Sequence, residues 1–219
     1  MLSEDSVKRK SMVWKFDKKE NIDNFEVSNR GQEIEFQGSC GEESSIMQAV
    51  QPIPRILKPV SFKVKITDPG INKQGHGTSG IEIGLAKKLA DADCKVSRED
   101  RMKLGLWYDP FNGGVYNHHN IPQLMLKRSK LGDVIDWQIQ RNRTTEGTFT
   151  TVAILFLNEQ PVGKPFPLHD HSYHPTINLA SPGAKIQAEV KGAFNSQRSN
   201  IEYSSMLVKR QETKGGKNI

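Results

Sequence analysis

Apolar residues recur at every second position along much of the chain. In "EIEFQ" (residues 33–37) Ile34 and Phe36 alternate with glutamates and Gln37, and in "SFKVKI" (61–66) Phe62, Val64 and Ile66 alternate with Lys63 and Lys65. "IEIGLA" (81–86) does the same with Ile81, Ile83 and Leu85, and "VIDWQIQ" (134–140) with Ile135, Trp137 and Ile139. Successive side chains of an extended chain point to opposite faces, so each run predicts a strand with one face on a core and the other in water. "VAILFL" (152–157) is apolar throughout and predicts a strand covered on both faces, although a run this short also suits a buried helix segment. No 11-residue window carries a 3.6-residue period. The strands are therefore expected to be joined by turns and to pair antiparallel rather than through helical crossovers.

Turn residues punctuate these runs. Asp68-Pro69-Gly70, Asn112-Gly113-Gly114 and Ser181-Pro182-Gly183 each put a φ-fixing or φ-permissive residue between strand patterns. Around the last of these, "SYHPTINLASPGAKIQAEV" (172–190) reads as two alternating runs closing a hairpin whose tip is Ala180 to Gly183. A lone sheet leaves one face bare, so the expected class is all-β, with two sheets packed face to face or a closed barrel. The longest stretch without a strand pattern, Lys87 to Lys103, is polar and charged, and loops of that length in compact domains are disproportionately functional or disordered. Trp107 and Tyr108 follow it. As neighbours in a strand, one ring is expected to pack inward and the other to face out, where it would anchor a peptide at a loop rim.

Composition narrows the class without naming a function. A chain of 219 residues with 35% hydrophobic and 26% charged residues suits one large all-β domain or two small ones. The formal charge is +6, but residues 1–20 hold six Lys/Arg against four Asp/Glu and residues 209–219 hold four against one, so the two ends supply +5 of it. The body is almost neutral, which argues against specific nucleic-acid binding. Cys40 and Cys94 are too few for a disulfide framework and lack CxxC spacing, so a reduced compartment is the simpler reading. The N-terminal residues lack the apolar core of a signal peptide, and no stretch approaches the length of a membrane span. An intracellular, cytoplasmic monomer with no membrane association is the expectation.

Catalytic motifs are sparse. His118 and His119 are adjacent, which in a strand sends them to opposite faces. His169, His171 and His174 in "HDHSYH" are a candidate metal cluster, set against the plainer reading of surface histidines in a proline-flanked loop. There is no GxSxG elbow, and "GHGTSG" (75–80) matches neither the GxxxxGK[ST] nor the GxGxxG pattern. Asp91, Asp93, Glu99 and Asp100 sit in a charged stretch where solvation accounts for them. No enzyme activity and no cofactor are expected.

The order of segments resembles the SPRY family, the module also found in the longer B30.2 domains. The matching stretches are "IEIGLA" (81–86), "LGLWYDPFNGGVY" (104–116), "LGDVIDWQI" (131–139), "AILFLNEQPVGKPF" (153–166), "YHPTINL" (173–179) and "SPGAKIQAEV" (181–190). The chain departs from that pattern at Asp136 and Trp137, at Asn158-Glu159 in place of an Asn-Gly turn, and in the longer connection "RNRTTEGTFTT" (141–151). The resemblance implies a bent sandwich of two antiparallel sheets over residues 13–208, between a mobile tail at 1–12 and a basic tail at 209–219. It also implies a non-catalytic interaction module, an adaptor or substrate-recognition domain that binds a peptide or protein surface through loops on one side. Carried over by segment, the partner-binding residues are Arg55, Arg98, Arg101, Tyr108, Ala180, Ser181 and Pro182, with Gly183 supplying backbone geometry. Two other readings stand beside this one. A lectin-like role predicts exposed aromatics with acidic and amide groups around one pocket, and a metal-dependent enzyme predicts ligation by His169, His171 and His174.

Overall fold

The structure, a computed structural model, describes residues 14–15, 25–29, 32–37, 45–53, 59–70, 80–89, 97–169 and 172–192. In chain order the strands are β1 (Trp14–Lys15), β2 (Phe25–Ser28), β3 (Glu33–Phe36), β4 (Ser45–Ala49), β5 (Val60–Pro69) and β6 (Ile81–Lys87). After the helix α1 (Arg98–Met102) come β7 (Gly105–Tyr108), β8 (Gly114–Asn117), β9 (Leu124–Met125), β10 (Val134–Arg143), β11 (Phe149–Leu157), β12 (Gln160–Leu168), β13 (Tyr173–Leu179) and β14 (Ala184–Gly192). Each predicted alternating run is a strand, and "VAILFL" lies within β11, buried from Ala153 to Leu157.

These strands form two seven-stranded antiparallel sheets, ordered β1-β4-β13-β6-β7-β8-β9 and β12-β11-β10-β5-β14-β3-β2. Their inner faces share one core. Ile81, Ile83, Leu85, Ile177 and Leu179 of the first sheet meet Phe62, Val64, Ile66, Ile135 and Trp137 of the second. Trp137 is fully buried, donates its indole N–H to the Ile83 carbonyl at 3.2 Å and meets Phe166 edge-on. The hydrogen bond crosses the sandwich, so one side chain both fills the core and ties the sheets together.

Two expectations change. The segment around Ser181 is not a hairpin, because β13 pairs with β4 and β6 in one sheet while β14 pairs with β3 and β5 in the other. A Pro-Gly turn reverses the chain, but the hydrogen-bonding partners of the two strands are settled elsewhere. The Lys87–Lys103 stretch is not without secondary structure either, since it contains α1. Ser97 caps that helix, accepting from the Asp100 N–H and donating to the Asp100 carboxylate. The Ser97-x-x-Asp100 spacing was the available signal for it.

The connection β11–β12 is a two-residue turn in which Asn158 and Glu159 both have positive φ, 49° and 66°. Glutamate thus adopts the backbone that an Asn-Gly turn supplies without strain. The expected extent of the sandwich to residue 208 passes beyond the last described strand, which ends at Gly192.

Candidate functional site

One end of the sandwich gathers four connections. Asp109 organises the first: its carboxylate accepts from the backbone N–H groups of Phe111 and Asn112 and from the Asn112 side chain at 2.7 Å. Segment 126–133 lies beside it, with the Leu126 N–H on the Gly113 carbonyl, the Ser129 N–H on the Pro110 carbonyl and the Gly132 N–H on the Ile66 carbonyl. The Asn158-Glu159 turn is tied to the same end by the bond from Asn158 Nδ2 to Asp133. The fourth connection, Ala180 to Gly183, crosses between the sheets and is held by the Gly80 and Phe36 carbonyls. Gly183 has φ +74° with open space where a Cβ would stand, so backbone conformation alone calls for glycine there.

The nominated binding residues fall into separate groups. Ala180 and Pro182 are half-buried and Ser181 is buried, so the segment is more packed than a free tip. Tyr108 is buried, not a surface anchor. Its hydroxyl donates to the Lys127 carbonyl at 2.7 Å and meets Ser129 Oγ at 3.0 Å, and burial pushes its pKa up so that it stays protonated. Trp107, expected to alternate with it in exposure, is buried on the other face, where Ala86, Met102 and Tyr116 pack around it. The outer face of the first sheet is covered at this point by the chain around α1, and sequence periodicity holds no record of such a cover.

Arg101 belongs to that cover. It is 1% exposed and pairs with Glu82, itself 2% exposed, at 3.2 Å, and the Asn178 side chain donates to the same carboxylate at 2.8 Å. Arg101 therefore fastens α1 onto β6 and β13 and presents no charge to a partner. A second clasp lies along the same face, where Gln48 accepts from the Leu89 N–H and donates to the Lys87 carbonyl. Arg98 starts α1, but its side chain lies outside the described residues, as do Arg55 and His171.

The candidate metal cluster is dispersed. His174 is buried with Nδ1 2.8 Å from the Ala49 carbonyl, and desolvation lowers its pKa, which favours the neutral ring. His169 is exposed and lies near His118, whose ring nitrogens meet the Lys103 carbonyl and the Tyr173 hydroxyl. Among the described residues no group of three or more His, Cys, Asp or Glu is placed to hold a metal ion. An open groove of about 610 Å³ lies on the outer face of the second sheet, lined by Lys63, Lys65, Glu33, Gln187 and Glu189 among others. It has the amides and acids a sugar site uses, but its lining includes no aromatic ring.

A feature missed from the sequence is the surface rim Lys127, Arg128 and Lys130, all exposed on segment 126–133. Its signal was present, since no acid occurs between Asp109 and Asp133.

Comparison with known proteins bears on the fold. The chain is similar to a human SPRY domain crystal structure with a TM-score of 0.57 at 18% identity, covering 76% of this chain and 94% of that one. It is also similar to the SPRY domain of human HERC1 (TM-score 0.49, 18% identity, 75% and 91% covered) and to the TRIM65 PSpry domain (0.47, 11%, 76% and 85%). No family model and no curated protein matches the sequence. The class defined is thus a SPRY-type β-sandwich, established as a fold.

Proposed function

We propose that this chain is a non-catalytic protein-interaction module, an adaptor or substrate-recognition domain that binds a peptide or protein surface through loops at one end of the sandwich. The observation that carries the reading is the SPRY-type fold spanning nearly all of the human SPRY domain it resembles. The loops clustered at one end support it, because hydrogen bonds to the core fix their stems and leave loop sequence free to set specificity. Ala180 and Pro182 are proposed contacts, together with Arg55 and Arg98. Ser181, Tyr108 and Arg101 hold the surrounding loops in place. The module acts as an intracellular monomer in this reading; no helix among the described residues is long and apolar enough to cross a membrane.

Affinity capture from a native cell lysate tests the proposal when followed by titration of each recovered protein against purified chain. Saturable binding that weakens in a Pro182→Glu variant with unchanged melting temperature is the expected result. Recovery of no protein that binds saturably would overturn it.

A further inference from the structure

The rim between Met125 and Leu131 carries three cations within four consecutive positions of a nearly neutral body. Lys127, Arg128 and Lys130 are exposed, and none makes an ion pair among the described residues. Met125 and Leu131, each 59% exposed, flank them and are two of the five large hydrophobic side chains exposed among the described residues. The backbone beneath is fixed by the Tyr108 hydroxyl on the Lys127 carbonyl and by the N–H groups of Leu126, Ser129 and Gly132, so little main-chain freedom remains to be lost on binding.

We propose that this rim docks an acidic peptide segment bearing apolar side chains, an inference that rests on the interaction-module reading above. Charge complementarity is its ground: three exposed cations with no ion pair among the described residues, against the neighbouring carboxylate of Asp133, set the sign of the partner, and two exposed apolar side chains flank them in the chain. The rim's own acid favours a peptide over an anionic membrane. Asp133 accepts from the Lys130 N–H and from Asn158 at 2.7 Å each, and Glu159 follows in the adjoining turn. A flat anionic surface would meet these carboxylates together with the cations, whereas a short peptide can set its acids against individual cations and its apolar side chains against Met125 or Leu131.

Short random peptides displayed on phage and selected on the full chain provide the probe. The selected peptides are then titrated against wild type, the triple variant Lys127→Glu, Arg128→Glu, Lys130→Glu, and its glutamine counterpart, with melting temperatures measured for all three. The expected peptides are rich in Asp and Glu with interspersed large apolar residues. Their affinity should fall about tenfold or more on charge reversal and by a smaller factor with glutamine. If reversal lowers the melting temperature, the glutamine variant carries the comparison. Peptides that are not acidic, or that bind the variants as tightly as wild type, would overturn the rim while leaving peptide binding intact. Selection of no peptide would overturn both. Cation-dependent sedimentation with phosphatidylserine vesicles but not with phosphatidylcholine ones would reassign the rim to lipid and so refute the proposal.

Discussion

Replacing Arg101 with methionine removes the positive partner of a carboxylate that has almost no access to water. At the 3.2 Å separation of Arg101 and Glu82, Coulomb attraction in an effective dielectric of about 20 is roughly 5 kcal/mol. Loss of one member of such a pair costs about 3–5 kcal/mol, because the remaining charge stays buried without compensation. A chain of this size loses about 2–4 °C of melting temperature per kcal/mol, so Arg101→Met should melt roughly 6–20 °C below wild type. Urea unfolding followed by tryptophan fluorescence is the assay, since Trp107 lies beneath Met102 of the same helix. If α1 detaches before the sandwich unfolds, Trp107 emission shifts to the red ahead of the main transition. The double variant Glu82→Gln, Arg101→Met should recover most of the loss, because the glutamine carbonyl still accepts from Asn178 and no charge is buried. A single variant costing less than about 1 kcal/mol with no early red shift would refute the clasp. So would a double variant no more stable than the single one.

Two further outcomes follow from buried and strained positions. Burial pushes the Asp136 carboxyl above its ordinary value of 3.8, against hydrogen bonds from Ser61 and Gln138 and the nearby Lys63 charge. Its folded pKa therefore exceeds its unfolded one, the native state keeps the proton longer, and stability attributable to this group falls as pH rises from the unfolded to the folded pKa. The melting temperature of wild type should decline relative to Asp136→Asn across that acid window and run parallel above it; a relative rise would reverse the assignment. Gly183→Ala should cost about 1–2 kcal/mol in urea unfolding, the usual penalty for a left-handed backbone, and Gly183→Asn clearly less. An alanine variant as stable as wild type would contradict the φ of +74°.

The strands were legible in the sequence because alternation is a local property. Phe62, Val64 and Ile66, or Ile135, Trp137 and Ile139, declare a buried face without reference to anything distant, and all six are in the core. The turn at Asn112-Gly113-Gly114 was equally legible, since φ demands are set within a few residues. The candidate site was less so. Ser97 and Asp100 carried a capping signal, and the acid-free run from Pro110 to Gly132 marked the basic rim, but neither says what lies nearby in space.

Only the tertiary structure decided which strands pair and what covers them. β13 and β14 adjoin in sequence yet join different sheets, because each finds its hydrogen-bonding partners among strands distant along the chain. Glu82 and Asn178 alternate with core positions and so read as solvent-facing, and Arg101 read as a charge offered to a partner, yet all three are buried where α1 covers the outer face of the first sheet. Alternation therefore determines that a side chain lies on one face or the other of a strand. Whether that face meets water depends on a segment placed over it by long-range packing, and there the hydration of Arg101 and Glu82 is exchanged for their attraction to each other.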